Sequence, residues 1–155
     1  MNVIISRFKE CTSYKNEIIF YFVDGINTTL SDIDNAVKSN MPETNIPFGD
    51  TDNYAPIKNR DINYHLKRVI YFINHPDEII NIKIKSSWWI DNNVLYAYPH
   101  LKIEDGYHRI AAAFYLGLKK INMINYDYIR LDVKKYITGE TNEKPKNKIQ
   151  EIKLT

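Results

Sequence analysis

Within a few residues the chain passes from strand-forming to helix-forming character. Residues 95–103 contain β-branched and aromatic types, whereas 110–118 are Ala-rich and helical in propensity. The seam between them reads Glu104-Asp105-Gly106-Tyr107-His108-Arg109. A strand that becomes a helix at that point leaves the first-turn N–H groups of the helix without intrahelical partners, a natural place for an anion. Any fold for this sequence must accommodate that corner.

Each residue of the seam suits a phosphate. Gly106 permits a positive φ and lets the backbone approach a ligand with no Cβ in the way. The N–H groups that follow, from Tyr107 on, would complete the cradle. Arg109 offers a planar, permanently charged fork of donors, and His108 a second donor whose charge changes near neutral pH. Asp105, with Glu104 beside it, suits a base for an attacking hydroxyl or a magnesium ligand. Taken singly, an Asp there is also a helix cap, an Arg a solvated charge and a His a packing residue. Their coincidence on one turn favours function.

Around this corner the pattern is that of a small mixed domain. Residues 17–23 are strongly β-prone and Asp24-Gly25 closes the run with a turn. Ser31 and Asp34 resemble a weak capping box, predicting a short helix over 32–39. Residues 41–58 carry three prolines and read as a long loop whose acids Glu43, Asp50 and Asp52 are candidates to face a ligand. Ile62, Leu66, Val69, Ile70 and Ile73 define an amphipathic helix over 61–74, stopped by His75-Pro76, on which His65 and His75 read as structural. Ile80, Ile82 and Ile84 alternate with polar residues as in a half-buried strand, and Asp91-Asn92-Asn93 marks a hairpin. The Trp88-Trp89 pair beside it reads as packing before base stacking. Gly117 is placed to cap the Ala-rich helix, 121–126 to form a strand and 128–133 an edge strand. Residues 138–155 read as a polar, loose tail, leaving one domain over 1–137. The expected fold is α+β, a small mixed β-sheet packed by two or three helices.

The run Asp105-Gly106-Tyr107-His108-Arg109-Ile110-Ala111-Ala112, followed by Leu116-Gly117 and an apolar strand, resembles the signature of the ParB/sulfiredoxin-like superfamily. The resemblance covers residues 60–126, with helix, strand, hairpin, motif helix and strand in the family's order. It implies a nucleotide pocket, with ATP, ADP or CTP and magnesium as cofactors. Gly106, Tyr107, His108 and Arg109 would grip phosphate, and Asp105, His108 and Glu104 would carry catalysis, with Asp105 on the metal. The motif is most similar to that of the free-serine-kinase-like members, although Tyr107 replaces their first histidine. Tyr107 also stands where sulfiredoxins keep their reactive cysteine, so sulfinic-acid repair is not expected. The second polar box and helix-turn-helix domain of the segregation proteins are not recognised after Tyr126.

Composition narrows the remaining classes. The chain has 155 residues, 44% of them hydrophobic, with a formal net charge of +2 and a single cysteine, Cys11. These numbers suit one core-bearing domain without a disulfide framework and argue against a general nucleic-acid field. No apolar run approaches the roughly 18 residues of a membrane span, so a soluble, cytoplasmic protein is expected. Abundant Asn, Ile, Lys and Tyr suit an AT-rich bacterial or phage source. The leading expectation is a nucleotide-binding phosphotransferase or phosphohydrolase. Two alternatives stand beside it: a nucleic-acid binder or nuclease, with Lys83, Lys85, Lys119 and Lys120 extending a phosphate track, and a non-enzymatic regulatory module acting on a protein target.

Overall fold

The structure, a computed structural model, describes residues 1–12, 19–21, 25–49 and 54–155. In chain order the elements are β1 (Asn2–Ile4), α1 (Ile5–Glu10), β2 (Ile19–Tyr21), β3 (Asn27–Thr29), α2 (Leu30–Lys38), α3 (Ile62–Asn74), β4 (Ile82–Asp91), β5 (Val94–Asp105), α4 (Tyr107–Leu116), β6 (Lys120–Asn125), α5 (Leu131–Ile137) and β7 (Gln150–Lys153). The architecture is α+β, with a five-stranded mixed sheet. Two compact units are formed: Met1–Lys15, Asn81–Gly106 and Lys119–Thr155 make the first, Asn16–Ile80 and Tyr107–Leu118 the second. Among the described residues no helix is long and apolar enough to cross a membrane.

The first unit contains the sheet, in the order β1-β6-β4-β5-β7. β4 and β6 run parallel, and the other neighbours pair antiparallel. The β4–β5 hairpin turns at Asn92 and Asn93, whose φ angles of 47° and 64° are those of a type I′ turn that asparagine tolerates. Along β4, Ile82, Ile84 and Ser86 are buried and Lys83 and Lys85 are not, the alternation expected of a strand with one covered face. Val3, Ile82, Ile84, Ala97 and Met123 have no solvent exposure.

Two expectations for the C-terminal part are corrected. Residues 128–133 do not form an edge strand. The segment makes two contacts with β4, from Ser86 N–H to the Tyr128 carbonyl at 2.7 Å and from Arg130 N–H to Ser86 Oγ at 3.0 Å, and then enters α5. Arg130 explains the departure. Its guanidinium, only 2% exposed as a side chain, donates to both carboxylate oxygens of Asp132, at 3.1 and 2.7 Å, and to the carbonyls of Lys146 and Lys148, at 3.2 and 2.7 Å. It thereby ties down the segment expected to be a loose tail, and β7 in that segment pairs with Val94–Ala97 of β5, with Ile152 opposite Leu95.

The second unit is mainly helical. α2 begins two residues earlier than expected. Its capping box is Thr29 with Asp32, in which Thr29 Oγ1 accepts from Asp32 N–H at 3.1 Å and Asp32 accepts from Thr29 N–H at 2.9 Å. Ser31 lies inside the first turn, so the Ser31/Asp34 reading fails by register. α3 is capped by Asp61, which accepts from Tyr64 N–H, and it stops ahead of Pro76 as the sequence predicts. Ile110, Ala111, Ala112 and Ala113 of α4 are wholly inaccessible, so the middle of this helix is buried on every side. Gly117, with φ 66°, ends it in the expected way, and Leu118 N–H returns to the Ala113 carbonyl.

The proline-bearing loop is anchored on α3. Thr44 N–H donates to the Lys67 carbonyl, Tyr64 Oη to the Ile46 carbonyl at 2.7 Å, and Asn74 to Glu43 at 2.9 Å. Glu43, offered as a ligand-facing acid, also meets His75 at 3.2 Å, and the Asn74 and His75 bonds hold its carboxyl below the usual carboxylate range. Asp50 and Asp52 lie outside the described residues.

Arg130→Ala is expected to cost about 2–3 kcal/mol, the scale of losing charged hydrogen bonds to buried acceptors. Urea denaturation measures the loss, and amide exchange in β7 should accelerate; unchanged protection of β7 would show that Arg130 is not its anchor.

Candidate anion-binding site

The strand-to-helix corner exists where the sequence places it: β5 ends at Asp105, and α4 begins at Tyr107. Gly106 has φ +112°, a conformation that residues with a Cβ rarely adopt. The space a Cβ would need is also taken, because it would meet Cγ1 and Cγ2 of Ile82 at 3.1 Å. The positive φ expected of this glycine is present, and the direction a side chain would take is filled by the sheet's own isoleucine. Asp105 and Glu104 belong to the first unit, both exposed. Asp105 stands opposite Lys83 in the β4–β5 register, and Glu104 Oε2 lies 3.4 Å from Lys85 Nζ.

Tyr107, His108 and Arg109 open α4 in the second unit, and all three are half-buried. His108 is not poised as an exposed cation. Its Nε2 lies 2.9 Å from Nδ1 of His65, a fully buried residue on α3, and the two rings stack with centroids 5.2 Å apart and planes 16° off parallel. One nitrogen of that contact must donate and the other accept, so the pair holds at most one of the two rings charged. Burial, then His65, Arg68 and Arg109, push the His108 pKa well below the ordinary histidine value of 6.5. His108 is thus neutral at pH 7. Arg109 Nη1 donates to the Ile80 carbonyl at 2.7 Å, which fixes the direction of its guanidinium.

The pair sits among cations. Arg68, one turn after His65 on α3, has its pKa lowered by burial, with Arg109 contributing in the same direction. Its guanidinium lies over the Phe72 ring at 4.7 Å and the Tyr71 ring at 5.2 Å. Arg60, 6% exposed, lies over Phe48 at 4.2 Å, and Phe48 in turn is 6.0 Å from the His65 ring and 6.4 Å from that of His108. Three guanidinium groups and two imidazoles, all half-buried or buried, are thereby linked: Arg68 and Arg109 act on His108 directly, and Arg60 reaches the pair through Phe48. Sequence reasoning found two of the five, His108 and Arg109. His65 and Arg68 carried a usable signal in their i,i+3 spacing, which puts them on one helix face; Arg60 carried none, because its place depends on the fold of the loop that supplies Phe48.

Among the described residues no group of three His, Cys, Asp or Glu side chains is arranged to hold a metal ion. Magnesium is compatible with that only if nucleotide phosphates supply most of its ligands and a single carboxylate such as Asp105 the remainder. Comparison with protein-family models, curated proteins and solved structures finds no match to this chain.

The histidine pair predicts a pH dependence of stability. His108 binds its proton less readily when folded than when unfolded, so its contribution is complete above about pH 6.5 and is lost as pH falls below that value. Chemical denaturation at pH 7.5, 6.0 and 5.0 should show a declining midpoint that is flattened in His108→Gln. An identical decline in that variant would assign the effect to other groups.

Proposed function

We propose that the arginine–histidine layer of the second unit binds the phosphates of a nucleotide, ATP, ADP or CTP with magnesium, and that the protein uses it for phosphoryl transfer or phosphohydrolysis. The observation that carries this reading is the gathering of Arg68 and Arg109 about the His65–His108 pair, with Arg60 reaching it through Phe48 and with the Arg68 pKa lowered by burial. Like charges brought together out of water destabilise a fold, and a polyanion offsets that cost. Guanidinium groups suit the task, being charged at any physiological pH and matched to phosphate oxygens. The resemblance of the D-G-Y-H-R run to ParB/sulfiredoxin-like proteins points to the same ligand.

Phosphoryl transfer asks mainly for positioning and for charge stabilisation on the transferred group, and arginines fixed by packing supply both. A neutral His108 held by His65 is suited to accept a proton from an attacking hydroxyl or water. The resemblance implies Asp105 as the acid for metal or base, with Glu104 beside it in the chain.

Calorimetry with MgATP, MgADP and MgCTP tests the reading. At least one should bind, and Arg68→Ala or Arg109→Ala should weaken it roughly tenfold or more while circular dichroism is unchanged. Asp105→Asn should lower turnover more than affinity. Absence of binding heat for all three nucleotides, or full affinity in the Arg68 variant, would overturn the proposal.

A further inference from the structure

We infer that the solvent face of β4 and β5 in the first unit binds single-stranded nucleic acid. The register sorts the residues. Ser86 and Trp88 stand opposite Leu101 and Ala97, on the covered face; Lys85 and Trp89 stand opposite Lys102 and Tyr96, on the other. On that second face Trp89, 38% exposed, stacks on Tyr96 with centroids 4.9 Å apart and planes 10° off parallel, and meets Tyr98 at 5.1 Å. Further along β4, Lys83 Nζ lies 5.9 Å from the ring centroid of Tyr126, which is 51% exposed. From Lys83 to Trp89 the strand spans about 20 Å, enough for a few nucleotides.

Two features select this occupant. The first is the exposed aromatic stack, since a flat ring assembly presents a π-face to any base and stacking tolerates sequence. The second is charge. Lys85 and Lys102 are directly opposed across the strands, a pairing that costs stability unless an anion lies over it, and Glu104 at 3.4 Å from Lys85 offsets only part of it. Asp91 stands on the same face toward the hairpin end, Glu151 stands opposite Tyr96, and Asp105 stands opposite Lys83, so the favourable part of the track is the stretch from Trp89 to the Lys85–Lys102 pair. A duplex has its bases stacked internally and offers none to Trp89; a single strand offers both bases and phosphates.

The test uses the full chain and a fluorescein-labelled dT12 oligonucleotide, read by anisotropy at low salt. Binding is expected, with affinity falling as salt rises. Trp89→Ala should weaken it roughly fivefold or more, Trp89→Phe should retain it, and Lys102→Glu, at an exposed position, should weaken it without affecting the fold. Arg109→Ala, in the other unit, should leave dT12 affinity within about twofold, so failure of the nucleotide reading and of this one are separable. No binding, equal affinity for a 12-base-pair duplex, or wild-type affinity in both Trp89→Ala and Lys102→Glu would overturn the inference.

Discussion

At Gly106 the backbone must hold a φ of +112° while Ile82 occupies the direction a side chain would take. Both demands fall on one residue, and only glycine meets them without strain. The consequences extend in both directions along the chain. The end of β5 is fixed, with Asp105 in register with Lys83, and α4 starts at Tyr107, so that His108 and Arg109 fall in its first turn. His108 and His65 both belong to the second unit, where they meet at 2.9 Å.

The histidine contact in turn sets how the cationic layer carries its charge. Two stacked imidazoles sharing one hydrogen cannot both be protonated, and the guanidinium groups of Arg68 and Arg109 oppose protonation of His108 further. His108 therefore adds no positive charge at neutral pH, whereas arginine is charged at any physiological pH. A phosphate-binding site built on histidinium would lose its grip as pH rose through 6.5, whereas one built on arginine keeps it. His108 is left with the chemistry of a neutral base, which is the form needed to take a proton.

The sequence revealed most where pattern and local chemistry agree. Asp61, the apolar stripe and Pro76 bounded α3 to within a residue, and the paired asparagines marked the hairpin. The strand-to-helix corner was legible because propensity reverses there and glycine sits at the reversal. What escaped was decided at long range. Arg130 looked like a strand residue, but its guanidinium is satisfied by carbonyls 16 and 18 residues further along. β7 has little alternation of its own and is a strand because β5 offers an edge to it. The contact of Ile82 with the space beside Gly106 was hidden for the same reason, since nothing local announces it. Of the cationic layer only the part on α4 was visible; His65 looked like a core residue, and it is fully buried, yet its ring is spent on His108.

The two surfaces proposed to bind anions differ in how they would respond to salt. Exposed lysines such as Lys102 attract phosphate through water, release counterions when it binds, and lose affinity steeply as ionic strength rises. Arg60 and Arg68 are shielded by Phe48, Phe72 and Tyr71, so mobile ions screen them less and direct hydrogen bonds count for more. Nucleotide affinity should accordingly persist at salt concentrations that strip a single strand from the sheet face. The contrast follows from burial alone: the same unit of charge is worth more where water is excluded, and is available to fewer ligands.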